Sequence, residues 1–286
     1  MPGATRAEPG ISALSATERA ARATVDGVRR ASVVAAAVVL LLAGCAGVPG
    51  AFPEGARADY QLGGGYEPPS GVQIVARDST EQPAPGLYSI CYVNGFQTQP
   101  GQEWPDALLL HDANGDPVID PNWPDETLLD GSTADTREAA AERIGESIDR
   151  CAASGFDAVE FDNLDSYTRS GGLLTEDDAI AFATLLVQRA TGLGLAAGQK
   201  NTPQLADRGP GIGFAFVVAE ECARYRECAA YTDVYGGRVV DIEYADDLER
   251  SFEEICADPE TPASTILRDR GLAPAGHPEY VYESCG

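Results

Sequence analysis

Between Val159 and Tyr167 an apolar, strand-like run ends in Asp162, Asn163, Asp165 and the phenol of Tyr167. Like charges crowded at a strand end repel each other and resist burial, so they lower stability unless a ligand or a reaction uses them. Two more apolar runs close in the same way, one at Lys200-Asn201 and one at Glu220-Glu221. Cleavage of a glycosidic bond needs two carboxyl groups in unlike surroundings. One donates a proton to the leaving oxygen, and the other, ionised, attacks or activates water. Asp162, beside Asn163 and Asp165 and within reach of Lys200, is the expected ionised partner. Glu220 follows the apolar run Phe214–Ala219 and is expected to have a raised pKa and to act as the acid. Lys200 is the only lysine in the chain, and its ammonium could keep a neighbouring carboxylate ionised or bind a sugar hydroxyl. Glu160 and Glu221 fit salt bridges to arginine better than a catalytic role.

The elements that must position these groups alternate between strand and helix. Strands are expected at Val72–Ala76, Leu87–Val93, Thr127–Leu129, Ala158–Phe161, Leu195–Gln199, Phe214–Ala219, Val239–Ile242 and Ser264–Leu267. The clearest helices are Thr136–Ala152 and Glu176–Thr191. Ala140, Ile144, Ile148 and Cys151 recur on one face of the first; Thr175 can cap the second, which carries an apolar stripe of Ile180, Ala183, Leu186, Val187 and Ala190. Eight strands alternating with helices imply a (β/α)8 barrel forming a single α/β domain. An open doubly wound sheet is the rival, and no Gly-rich phosphate loop follows the first strand to support it. In such a barrel the groups after each strand converge on one face: Asp78, Asn94, Asp130, Asp162, Lys200 with Asn201, Glu220, Glu243 and Asp269. Tyr60, Tyr92, Tyr167, Tyr225 and Tyr244 are placed to stack on sugar rings. The Asp112–Asp116 loop has a calcium-like spacing but lacks the bidentate acid. Asn114-Gly115 there reads as a hairpin turn between Leu108–Leu110 and Val118–Ile119.

The N-terminus carries an address. Arg29-Arg30 precede the apolar run Ala31–Leu42, which is short for a membrane span, and Leu42-Ala43-Gly44-Cys45 resembles a bacterial lipobox. Residues 1–44 are therefore expected to be a lipoprotein signal, with Cys45 lipidated, and residues 45–57 a flexible tether before a domain spanning 58–286. That places the protein outside the cell membrane, facing outward. The net charge of −25 becomes more negative once a leader with five Arg against three acidic residues is removed. Such a charge disfavours nucleic acid and suits a cationic partner. Cys91, Cys151, Cys222, Cys228, Cys256 and Cys285 allow fifteen disulfide pairings. Cys222 with Cys228 would close a short loop and Cys256 with Cys285 would pin the C-terminus, leaving Cys91 with Cys151. Two histidines, neither near a cysteine pair, argue against a zinc site, and no cofactor is expected.

Several short motifs resemble glycoside hydrolase family 114, in order from Asp59-Tyr60-Gln61-Leu62-Gly63-Gly64 to Cys285. They are Cys91-Tyr92, Trp123-Pro124-Asp125-Glu126 leading to Leu129-Asp130, Gly155 to Tyr167, Gln199-Lys200-Asn201, Glu220-Glu221-Cys222 with Tyr225 and Cys228, and Ile242-Glu243-Tyr244. The resemblance implies a TIM-barrel endo-α-1,4-polygalactosaminidase that cuts a partly cationic amino-sugar polymer; separately, a monomer is expected. It implies that Asp162 and Glu220 are the catalytic acids. Tyr60, Asp78, Tyr92, Asn94, Asp130, Asn163, Asp165, Tyr167, Lys200, Asn201, Tyr225 and Glu243 would line the cleft. The chain departs from the family pattern at Phe161, often Pro, and at Ala219, often Asn, where an amide that could reach the substrate is lost. A non-catalytic carbohydrate-binding barrel is the alternative, and a metal-dependent hydrolase built on Asp162, Asp165 and Glu220 is a third reading.

Overall fold

The computed structural model describes residues 50–286, so the expected export signal and Cys45 lie outside the described residues. Eight strands pair in parallel, each with the next in sequence: β1 (Ala58–Tyr60), β2 (Ile74–Asp78), β3 (Tyr88–Asn94), β4 (Ala158–Asp162), β5 (Ala196–Lys200), β6 (Phe216–Glu220), β7 (Val239–Tyr244) and β8 (Ser264–Arg268). A short β9 (Tyr282–Ser284) adds antiparallel to β8, with Ile266 opposite Ser284. Seven of the strands lie where the apolar runs put them, and the eighth does not. Thr127–Leu129 belongs to an irregular antiparallel excursion between β3 and the next helix, paired singly with Gln97, Leu109 and Ile119. The barrel takes Ala58–Tyr60 in its place. Asn114-Gly115 turns the excursion as expected, and the Asp112 carboxylate accepts the amides of Asn114 (2.8 Å) and Asp116 (3.0 Å), capping the turn.

The segment expected to be a free tether is folded from Phe52 onward. Phe52 stacks on Phe216 at 5.0 Å and meets Tyr88 edge-on at 5.4 Å, and Gly55 donates to the Gly237 carbonyl at 3.0 Å. The folded unit therefore begins before Ala58.

Helices α1 (Ala134–Ser154), α2 (Ser166–Arg169), α3 (Glu176–Gly192) and α4 (Gly209–Ile212) follow in chain order, and the two long ones form where their caps say. In α1 and α3, Thr133 and Thr175 each accept from the N3 amide while the N3 side chain returns a bond, so two otherwise orphaned donors are satisfied at each start. The buried face of α3 runs through Ala179, Phe182, Ala183, Leu186, Val187 and Ala190. Ile180, expected in the stripe, is only half-buried. Alternation along the strands separates two cores. Val159, Phe161, Val217 and Ala219 face the helices, while Tyr60, Ile90, Phe216, Val218, Val240, Ile242 and Ile266 fill the barrel. Gly198 leaves room for the Phe216 ring, which a Cβ would meet at 2.4 Å.

Three disulfides link Cys91 to Cys151, Cys222 to Cys228 and Cys256 to Cys285, with Cα atoms 6.0, 4.8 and 5.1 Å apart. The first fastens a barrel strand to a helix, and the other two tie peripheral elements together. Cys91 on β3 is tied to the last turn of α1, and Cys222 and Cys228 open the short helices α5 (Cys222–Tyr225) and α6 (Cys228–Tyr235).

Candidate active site

Residues that point inward along β4, β5 and β6 carry their last side chains to one rim of the barrel. There Asp162, Lys200 and Glu220 meet. Lys200 Nζ lies 4.0 Å from Asp162 Oδ1 and 3.3 Å from Glu220 Oε2. Two carboxylates that share one ammonium this closely are no more than roughly 7 Å apart at those oxygens, which is within the span of glycosidase carboxyl pairs. The side chain of Lys200 is 2% exposed, against 22% for Asp162 and 27% for Glu220. The cation is thus beneath the surface and the two acids open upward.

Tyrosines complete the floor. Tyr92 Oη donates to Asp162 Oδ2 at 2.7 Å, and Tyr244 Oη donates to Glu220 Oε1 at 2.5 Å. Lys200 Nζ donates to Tyr60 Oη at 2.7 Å and lies over the rings of Tyr60 (5.0 Å) and Tyr92 (5.6 Å). Tyr60 Oη donates in turn to Oε1 of Glu160 at 2.6 Å. Glu160 is two residues before Asp162 on the same face of β4, one layer deeper, and is fully buried. Among the described residues it forms no arginine salt bridge, contrary to the expectation from sequence, whereas Glu221 does pair with Arg270 at 2.9 Å.

The electrostatics follow from this crowding. Burial pushes Glu220 up, but the charge of Lys200 and hydrogen bonds from Tyr244, Asn201 and Lys200 hold it below the usual carboxylate range. The expectation of a resident protonated acid at Glu220 is therefore corrected for the free protein: polar donors surround this carboxylate, not the apolar residues that precede it in sequence. Burial pulls Lys200 down, and the charges of Asp162, Glu220 and Glu160 more than reverse it. Burial pushes Glu160 up to about 7, against the opposing pull of Lys200 and Tyr60.

Amides hold the rim. Asn201 Nδ2 donates to Glu220 Oε2 at 3.2 Å and its Oδ1 accepts the Glu220 amide at 2.7 Å. The Asn163 amide donates to Asp162 Oδ1 at 2.8 Å, and Asn163 Nδ2 donates to Asn94 Oδ1 at 3.1 Å. Asn94 Nδ2 continues the chain to Oε2 of Glu126 at 3.0 Å. The residue after each of the three strands is left-handed: Asn163 (φ 63°), Asn201 (φ 45°) and Glu221 (φ 61°). Asparagine tolerates that region; glutamate there is strained.

Of the other expected cleft residues, several are occupied elsewhere. Asp78 accepts from the amide and hydroxyl of Thr80, and Asp130 does the same for Ser132, so both cap their own turns. Asp165 pairs with Arg169 at 2.7 Å. It is spent on α2 (Ser166–Arg169), and Lys200 stands between Asp162 and Glu220, so the trio required by the metal-dependent reading is not assembled. Among the described residues, the group compact enough to ligate a metal is Cys222, Cys228 and Asp241, and its cysteines are joined in a disulfide. Tyr167 packs half-buried against the helix-side core, and Tyr225 lies exposed on α5 beside Arg224. Glu243 faces away from the cleft and accepts the amides of Ala223 (2.8 Å) and Arg224 (3.4 Å). Tyr244, the next residue, is the one that enters the site. Arg270, not expected from sequence, lies 4.4 Å over the Tyr244 ring. Ala219 faces the helices, so an amide there could not meet a substrate in the barrel mouth.

Solved structures share the barrel. The chain superposes on a crystal structure of Aspergillus fumigatus Ega3 in complex with galactosamine with a TM-score of 0.65 and 24% identity, covering 82% of this chain and 97% of that one. The glycoside hydrolase domain of PelA from Pseudomonas aeruginosa gives 0.51 at 13% identity, with 77% and 97% covered. These likenesses establish the fold. No curated protein matches in sequence. The glycoside hydrolase family GH114 model matches residues 43–286, essentially the whole described chain. The chain therefore belongs to glycoside hydrolase family GH114 and is a glycoside hydrolase.

Proposed function

We propose that this glycosidase cuts within an amino-sugar polysaccharide of α-1,4-linked galactosamine, with Asp162 and Glu220 flanking the scissile bond. The observation that carries the assignment is the pair of half-open carboxylates held over one buried ammonium. Lys200 and Tyr92 keep Asp162 oriented to attack the anomeric carbon or to activate a water. Glu220 delivers the proton to the leaving oxygen. It begins ionised, and docking of a sugar strips its remaining water and competes for Tyr244 and Asn201, both of which raise its pKa towards that of a donor. The similarity to a structure holding galactosamine supports the choice of sugar, and the net charge of −25 suits a polymer bearing ammonium groups. The lipobox-like Leu42-Ala43-Gly44-Cys45 and the three disulfides support export to an oxidising compartment with a lipid anchor at Cys45.

The test is release of reducing ends from a panel of amino-sugar and neutral polymers. Galactosamine polymer should be cut. Asp162→Asn and Glu220→Gln should each lower kcat at least about a thousandfold with little change in Tm, as expected for groups acting in the transition state. Cleavage by the Asp162→Asn protein, or no cleavage of any amino-sugar polymer by the parent, would sink the assignment. Binding without cleavage by the parent would instead make the chain a carbohydrate-binding barrel.

A further inference from the structure

Most acids around the barrel mouth already have a cation. Asp165 and Asp120 share Arg169 at 2.7 and 2.6 Å, and Glu221 and Asp246 share Arg270, both at 2.9 Å. Glu126 is different. One oxygen, Oε2, is pinned by Asn94 Nδ2 at 3.0 Å, and Oε1 has no partner among the described residues yet is not sealed from solvent. No arginine or lysine lies within ion-pair distance of it among the described residues. Asn94 also accepts from Asn163 Nδ2, and the Asn163 amide holds Asp162, so two amide side chains connect Glu126 to the proposed catalytic pair.

We propose that Glu126 is the receptor for a substrate ammonium group, the 2-amine of one galactosamine unit docking on its free Oε1 beside Asp162. This deepens the reading given under Proposed function and rests on it. The groups facing Glu126 are Asp162 on β4, Asp120 on its own loop and Arg169 on α2. Burial and the two aspartate charges outweigh Asn94 and Arg169 and push Glu126 up to about 7. Below that pH the free protein therefore carries a neutral carboxyl there. An arriving ammonium forms an ion pair with the carboxylate, and the carboxyl proton leaves to the buffer. A neutral N-acetyl group cannot drive that release. Affinity for the free-amine polymer should thus rise as pH climbs towards 7, until the amine itself loses its charge.

The experiment is calorimetric titration of Glu220→Gln protein, which binds without turnover, with α-1,4-galactosamine tetramer and its N-acetylated counterpart. At pH 6, buffers of different ionisation enthalpy should report close to ~1 proton released per free-amine tetramer and none for the acetylated one. The free-amine form should bind about tenfold tighter. Adding Glu126→Gln should abolish both the proton release and the preference while leaving affinity for the acetylated tetramer unchanged, which also reports an intact fold. Asp125→Asn, an equal charge change at an exposed neighbour, should leave both in place. Retention of preference and proton release in the Glu126→Gln protein would overturn the proposal, as would their equal loss with Asp125→Asn. If the parent still cleaves galactosamine polymer in that event, the hydrolase assignment survives alone. If the protein binds neither tetramer and cleaves nothing, both readings fall.

Discussion

Glu160 has the most demanding surroundings of any single residue in this barrel. It lies fully buried beneath Asp162, Glu220 and one ammonium, and its Oε2 has no partner among the described residues. Three carboxylates on one cation leave an excess of negative charge, and the deepest of them bears the cost of ionising. The folded pKa is raised from 4.5 to about 7, so the native state holds a proton that the unfolded chain has released. Stability should therefore fall as pH rises from about 4.5 to about 7 and level off above, by up to about 3 kcal/mol from this group. Glu160→Gln removes that slope. Urea denaturation of parent and variant at pH 5 and pH 7.5 measures it, and equal pH dependence in the two proteins would show that the proton sits elsewhere. The same variant keeps the volume and leaves Tyr60 an acceptor, so Lys200 should remain in place under the catalytic pair.

At the scale of elements, the turn after β6 is where strain and support meet. Glu221 is left-handed, α5 follows at once, and the first amides of that helix are taken by acids from β7. Cys222 donates to Asp241 at 3.1 Å and Ala223 to Glu243 at 2.8 Å. Burial pushes both acids up. The charge of Glu243 pushes Asp241 further. This pair holds the turn that follows Glu220 without touching the cleft. Glu243→Ala should leave buried amides unsatisfied, cost about 1–3 kcal/mol of stability and lower kcat several-fold or more, with Glu243→Gln restoring most of both. Thermal melts and steady-state kinetics on galactosamine polymer check this. A variant with full kcat would show that the disulfide to Cys228 holds the turn by itself.

For the molecule as a whole, the weak line is the seam where β8 meets β1. Among the described residues no ladder closes it. Arg268, fully buried, spans it to Asp59 Oδ1 at 3.2 Å and to the Tyr60 carbonyl, and also holds the carbonyls of Val281 and Ala273 at 2.9 Å. β9 lies along the same seam, with Tyr282 Oη on the Ala58 carbonyl at 2.8 Å and the Cys285 amide on Thr265 at 3.0 Å. The Cys256–Cys285 bond fastens that strand. Because Tyr60 is a floor residue of the site, closure of the seam and placement of Lys200 are one problem. Cys256→Ser with Cys285→Ser should lower stability by about 3 kcal/mol, the usual worth of a bond closing a loop of this size. A urea midpoint unchanged by the double substitution would show that Arg268 and the β9 ladder suffice.

Local chemistry by itself determined much of this protein. Apolar runs ending in polar groups marked seven barrel strands, capped periodic stretches marked α1 and α3, and Asp162, Lys200 and Glu220 stood out before any contact was known. Tertiary structure decided what local pattern cannot carry. A three-residue strand such as Ala58–Tyr60 has too few positions to show a period, and Thr127–Leu129 looks the same from sequence, so only the partners distinguish them. Continuation of β7 two residues past Ile242 turned Glu243 outward and Tyr244 inward, because a strand reverses its face at every residue. Asp78 and Asp130 found donors two residues along their own turns, so arrival at a strand end did not bring them to the centre. Glu126 and Glu160 acquired their character from burial beside distant charges, and that is a property of the assembled barrel alone.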